Sequence, residues 1–236
     1  MDIAGLQKMT LLDFPRRVAC TVFTQGCNFR CPFCHNSDLL PAGGEPFMND
    51  EQLLEFLKKR VGLLDGVCIT GGEPTMQPEL PDLLRKIKDL GYGVKLDTNG
   101  TNTKMLQQMV EEGLLDYVAM DIKNSAAAYP ETAGMDERLL PKVEEGIAYL
   151  LSGKVDYEFR TTVVAELHTE DTIEDMGHWV QRLGNGKKAK RWFLQAFADR
   201  DSVLFAELHA PDKEEMVRFA LKLKPFAEFV DLRGVE

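Results

Sequence analysis

Three thiols dominate the chemistry this sequence could perform. Cys27, Cys31 and Cys34 fall within one short run, Cys27-Asn28-Phe29-Arg30-Cys31-Pro32-Phe33-Cys34. Thiolates at this spacing can turn toward one metal centre if the chain curls around it. Structural zinc takes four ligands and iron–sulfur clusters normally take four thiolates, so the fourth donor decides the reading. His35 follows directly and would complete a zinc site. The other two cysteines, Cys20 and Cys68, lie in apolar, strand-like runs and read as small buried filler. On that reading three thiolates hold a cubane cluster and leave one iron open to a substrate or cofactor. Five cysteines is an odd number in a chain that is not small, so a disulfide framework is a poor account of them.

Further along, polar and glycine-rich groups follow apolar runs. Gly71-Gly72-Glu73-Pro74 follows the run at 66–70, Asp97 and Asn99 close the run at 93–98, and Asp121 and Lys123 close the run at 117–123. Other strand-like runs occupy 18–24, 157–164, 191–197 and 229–232. Segments with helical period lie between most of them. Leu53, Leu54, Leu57 and Val61 share a face behind a cap at Asn49 or Asp50, and Leu80, Leu83, Leu84, Ile87 and Leu90 share another, ended by Gly91. Four more such faces run through Met109, Ile147, Met176 and Phe219. Strand–helix alternation implies parallel strands with crossover helices. About six repeats are too few for a closed eight-fold barrel but suit a partial, open βα barrel, read here as one α/β domain over 1–236. Active groups of such folds sit on loops leaving the C-terminal strand ends, which is where the cysteine run and the polar groups fall.

Composition narrows the classes. The chain has 236 residues, 44% of them hydrophobic, which argues against wholesale disorder. Its formal charge of −10 disfavours bulk binding to nucleic acid or anionic lipid, so neither is expected as a partner. No apolar run is long enough to cross a bilayer and the start does not read as a secretory signal, so a cytoplasmic location is expected.

The spacing Cys27-x-x-x-Cys31-x-x-Cys34 after a strand, followed one strand–helix unit later by Gly71-Gly72-Glu73-Pro74, resembles the radical S-adenosylmethionine (SAM) enzymes. The second motif is weak alone, because Gly43-Gly44-Glu45-Pro46 repeats it. That copy follows no strand and reads as a loop coincidence. The resemblance implies one [4Fe–4S] cluster held by three cysteines. It also implies S-adenosylmethionine on the open iron, with Glu73 and the glycine-loop carbonyls toward its ammonium. A reduced cluster then cleaves the cofactor to a 5′-deoxyadenosyl radical.

Asp13-Phe14-Pro15, Phe23-Thr24-Gln25-Gly26-Cys27-Asn28, Cys34-His35-Asn36, Asp97-Thr98-Asn99-Gly100 and Met120-Asp121-Ile122-Lys123 look like the activating enzymes of glycyl-radical enzymes. The opening, Lys8-Met9-Thr10-Leu11-Leu12-Asp13-Phe14-Pro15, looks most like the anaerobic ribonucleoside-triphosphate reductase activating proteins. The partner implied is that reductase, with a flavodoxin- or ferredoxin-type electron donor. Pyruvate formate-lyase remains an alternative target. The resemblance further implies cofactor contacts from Asn99 and Gln195, a monovalent cation near Asp97 and Asp121, and Lys123 and Arg160 facing the cofactor or the incoming glycine loop. His35 and Asn36 would support cluster sulfur or the loop backbone. Two other readings compete: a radical SAM enzyme acting on a small molecule, and a zinc-binding module using Cys27, Cys31, Cys34 and His35. Residues 187–191, Lys187-Lys188-Ala189-Lys190-Arg191, read as a solvated loop, and His168, His178 and His209 have no ligand-like spacing.

Overall fold

The computed structural model describes residue 1, residues 3–41 and residues 46–235. The first glycine motif therefore lies outside the described residues except for Pro46. The chain forms two compact units, one from residues 1–28, 38–98 and 104–119, the other from 29–37, 99–103 and 120 onward.

In the first unit β1 (Ile3–Thr10) pairs antiparallel with β2 (Ala19–Thr24), and β2, β3 (Gly66–Gly71) and β4 (Gly93–Thr98) run parallel in that order. Parallel neighbours need crossovers, which α1 (Asp50–Lys58) and α2 (Leu80–Asp89) supply. Helix α1 starts at a reciprocal cap: the Asn49 side chain accepts from the Gln52 amide, and the Gln52 side chain accepts from the Asn49 amide. Register sets what each face of the sheet carries. Cys20, Val67 and Val94 form one row and Val22, Ile69 and Leu96 the next, all fully buried. Leu53 and Leu57 of α1 and Leu80, Leu83, Leu84 and Ile87 of α2 are fully buried as well. Each such aliphatic side chain contributes about 1.5–3 kcal/mol by leaving water. The alternate row, Thr21–Cys68–Lys95, points to the opposite face and is polar. Helix α3 (Thr103–Glu111) follows β4.

Strand β5 (Tyr117–Asp121) gives its first three residues to the first unit and its last two to the second. The second unit continues with α4 (Tyr129–Ala133), α5 (Leu140–Leu151), β6 (Asp156–Val163), α6 (Glu170–Leu183), β7 (Trp192–Ala196), α7 (Lys213–Leu223) and β8 (Val230–Arg233). Strands β6, β7 and β8 are parallel in that order. Phe159, Thr161, Trp192 and Leu194 are fully buried, with Ile147, Ile173, Met176, Val180, Met216 and Leu223 of the covering helices. The opposite face carries the rows Arg160–Phe193–Asp231 and Thr162–Gln195–Arg233.

Every strand-like run expected from the sequence is a strand, shifted by no more than two residues at either end, and the six helical faces are helices, except that Val61 lies beyond the end of α1, where it is exposed, and Leu90 just past α2. Among the described strands and α-helices, two are additional. Strand β1 was hidden because only its ends, Ile3 and Thr10, are buried, so it lacks alternation. Helix α4 has five residues, too few to show a period. No helix among the described residues is long and apolar enough to cross a membrane.

Candidate functional site

The glycine loop follows from the end of β3. Gly71 has φ +118°, and a Cβ there would stand 2.2 Å from the Thr24 amide nitrogen. A Cβ on Gly72 would stand 2.0 Å from the Gly26 carbonyl oxygen. The close approach is used: the Gly72 amide donates to Thr24 O (2.9 Å) and the Glu73 amide to Gly26 O (2.7 Å). The glycines thus clamp this loop onto the chain that leads into Cys27. Glu73 is 1% exposed, and its Oε1 accepts from the Thr75 amide (3.0 Å), the Thr75 hydroxyl (2.5 Å) and the Thr98 hydroxyl (2.7 Å). One oxygen of Glu73 therefore caps the short 3-10 turn Pro74–Met76 and ties the end of β4 to the glycine loop. Thr98 lies within the Asp97–Gly100 motif. Its hydroxyl is what joins two of the loops expected to contact cofactor.

Asp97 sits beside a residue the sequence reading passed over. The buried Lys95 ammonium hydrogen-bonds Asp97 Oδ1, and Cys68 Sγ lies 3.8 Å from both groups. Cys68 is therefore not plain apolar filler, as expected, but a neighbour of an ion pair. Cys20 matches the expectation: it lies in the apolar row, where burial pushes its thiol up to about 12. Asn99, in the second unit, is buried and accepts from the Thr101 amide (3.0 Å) and hydroxyl (2.7 Å), which shapes the turn after β4.

In the second unit the cysteine run rests on α4. The Ala133 carbonyl accepts from the Arg30 amide (3.0 Å) and from Cys31 Sγ (3.5 Å). Gly134 ends the helix in a left-handed conformation (φ +56°), and a Cβ there would stand 2.2 Å from Arg30 O. Lys123 Nζ lies 5.9 Å from the centroid of the Phe33 ring. Asp121 accepts from Lys123 Nζ on Oδ2 (2.9 Å) and from Arg160 Nε on Oδ1 (3.1 Å). Burial alone would raise the Asp121 pKa, but the two cations outweigh it and hold the carboxyl down at about 2. Burial likewise works against the Lys123 charge, which Asp121 and then Cys31 more than restore, so its pKa is raised. Buried His168 holds the chain beneath: its Nε2 bonds Lys123 O (2.9 Å) and its Nδ1 accepts from the Val164 amide (3.1 Å). Gln195 is half-buried on β7, in register between Thr162 and Arg233.

His35 turns to the segment after β7. Its Nε2 bonds Ala198 O (2.7 Å) and its ring stacks on Phe197. The Ser202 hydroxyl donates to His35 O (2.7 Å), and the Ser37 hydroxyl donates to Ser202 O. Burial leads in lowering the His35 pKa. The basic run at 187–191 is a largely exposed loop leading into β7, as expected, with Lys190 and Arg191 paired to Asp156 at 2.5 and 2.6 Å.

The donor set fits a cluster held by three thiolates. All five cysteines are free thiols. Cys20 and Cys68 belong to strands, and His35 bonds a backbone carbonyl. Among the described residues no three His, Cys, Asp or Glu side chains are grouped to hold a single ion.

Comparison with known proteins identifies the family. The family model described as Radical SAM superfamily matches residues 21–182, which run through both units. A protein described as "putative glycyl-radical enzyme activating enzyme", from Methanocaldococcus jannaschii, is 28% identical over 99% of this chain and 96% of its own length. The pyruvate formate-lyase-activating enzyme of Clostridium pasteurianum is 34% identical over 52% of each chain. Among solved structures, Streptococcus suis SuiB bound to S-adenosylmethionine superposes with a TM-score of 0.69 at 12% identity, over 89% of this chain and 48% of that one. The likeness shows the fold, an α/β arrangement with an open, partial βα barrel.

Proposed function

The chain belongs to the radical SAM superfamily, whose enzymes use a [4Fe–4S] cluster and S-adenosylmethionine, and from that premise we propose that it installs a glycyl radical in a partner enzyme. The observation that carries the proposal is the likeness, over nearly the full length of both chains, to a protein described as an activating enzyme of this kind. The specific partner proposed is an anaerobic ribonucleoside-triphosphate reductase, supported by the opening segment 8–15. Pyruvate formate-lyase is the second reading, supported by the Clostridium relative. A flavodoxin- or ferredoxin-type protein supplies the electron.

Cys27, Cys31 and Cys34 hold the cluster, and Gly71, Gly72, Glu73 and Pro74 shape the cofactor loop beside Cys27. When bound, cluster and cofactor supply a 5′-deoxyadenosyl radical that takes a hydrogen atom from a glycine α-carbon. The chain's own groups orient and neutralise. Lys123 places a positive charge near Cys31. Asp121 fixes both Lys123 and Arg160, so the two cations present one geometry to cofactor or to the incoming loop. Asp97, Asn99 and Gln195 complete the cofactor-facing set at the strand ends. The 1–236 chain acts as one radical SAM domain, because the family match crosses both units.

The deciding experiment is anaerobic incubation of the reduced, cluster-loaded protein with cofactor and each candidate partner, read by electron paramagnetic resonance. A glycine-centred doublet with the reductase alone is expected. A doublet with pyruvate formate-lyase alone would reassign the target, and 5′-deoxyadenosine formed with a small molecule but no protein radical would overturn the activation role.

A further inference from the structure

The family resemblance implies an inorganic monovalent cation near Asp97 and Asp121, yet a side chain already meets the Asp97 carboxylate. We propose that the Lys95 ammonium is the built-in counter-ion of Asp97, so that this strand end needs no inorganic cation. Residues 95 and 97 are two apart on β4 and therefore point to the same face. The row Thr21–Cys68–Lys95 puts two small side chains beside the lysine, leaving room for its four-carbon stem to lie along the sheet toward Asp97. Lys95 is 2% exposed and the Asp97 side chain 12%. An ammonium and a carboxylate this far from water persist as ions only when each meets the other's charge. Cys68 Sγ, 3.8 Å from both, adds a polarizable neighbour.

The arrangement is a cation site whose cation is tethered. Removing the tether leaves a largely covered carboxylate beside a vacated channel as wide as an alkylammonium, and small monovalent cations fit it by size and charge. The inference does not depend on which partner is activated, because it is read in the protein before cluster or cofactor is loaded.

Thermal unfolding of wild type, Lys95→Ala and the double variant Lys95→Ala/Asp97→Asn tests it, in potassium, methylammonium or tetramethylammonium chloride at equal ionic strength. Wild type should unfold at the same temperature in all three. Lys95→Ala should unfold roughly 10 °C lower in tetramethylammonium, which is too large to enter, and recover a substantial part of that loss in potassium or methylammonium. The double variant should be indifferent to the cation and more stable than Lys95→Ala in tetramethylammonium. Equal behaviour of Lys95→Ala in all three salts overturns the proposal, as does a double variant no more stable than the single one. If Lys95→Ala does not fold, a folded double variant supports the proposal and an unfolded one overturns it.

Discussion

Asp121 shows how a single residue gathers a site. Two cations on two different elements end on its two oxygens, Lys123 beyond β5 and Arg160 on β6. Its carboxyl is held at about 2, below the ordinary 3.8, so the paired state contributes stability above pH 4 and loses it as pH falls from about 4 to 2. Lys123 is shifted upward, so its contribution persists through neutral and moderately alkaline pH. Carboxyl carbon NMR titration should find Asp121 near 2 in wild type. In Lys123→Met and in Arg160→Gln the same resonance should move up toward or above 4, because burial then works against fewer compensating charges. The individual chemical groups were legible in the sequence where strand ends exposed them. Lys95 was not, because a lysine inside an apolar run gives no sign that register will set it beside Cys68 and aim it at Asp97.

At the scale of elements, the loops are fixed by backbone contact more than by side chains. Gly72 has no unusual φ, so only the Gly26 carbonyl 2.0 Å from its missing Cβ forbids a side chain there. Gly72→Ala should cost about 2–4 kcal/mol in urea unfolding, because backbone lies on both sides of the contact. Gly113→Ala is the control: φ is +70° but nothing lies within 4 Å, so backbone strain alone should cost about 1–2 kcal/mol. The sequence reading gave Gly71 and Gly72 to the cofactor. Their contact with Thr24 and Gly26 leaves no trace in the sequence, since the partner carbonyls carry no residue-type signature. The motif Asp13-Phe14-Pro15 has a similar second meaning. Asp13 accepts from the Thr21 hydroxyl (2.5 Å), and Phe14 is buried against Tyr117. Strand β1 and helix α4 escaped for want of periodicity, although α4 supplies the Ala133 carbonyl that meets Arg30 and Cys31.

For the molecule as a whole, ligand binding should appear as stability. A ligand present at one hundred times its dissociation constant adds about 2.7 kcal/mol, roughly 5–10 °C for a chain of this size. S-adenosylmethionine should therefore raise the unfolding temperature of the anaerobically reconstituted protein and leave the iron-free protein unmoved. Cys31→Ala should lose both the brown colour and this gain, and Cys20→Ser should keep both. A gain of equal size without iron would show that the cofactor does not depend on the cluster. The strand–helix alternation and the cysteine spacing made the fold class readable because both repeat on a scale a single sequence displays. The ion pairs across strands did not, because register joins residues far apart in the chain.

The family match ends at residue 182, but what steadies the cysteine run does not. Ala198, Phe197 and Ser202 grip His35 and Ser37 from outside the matched region. Loss of the Ser202 hydroxyl would leave all the sulfur donors in place while slackening their tether. Faster bleaching of the iron chromophore in air would be its signature, and a segment beyond the family match would then govern how long the protein survives oxygen.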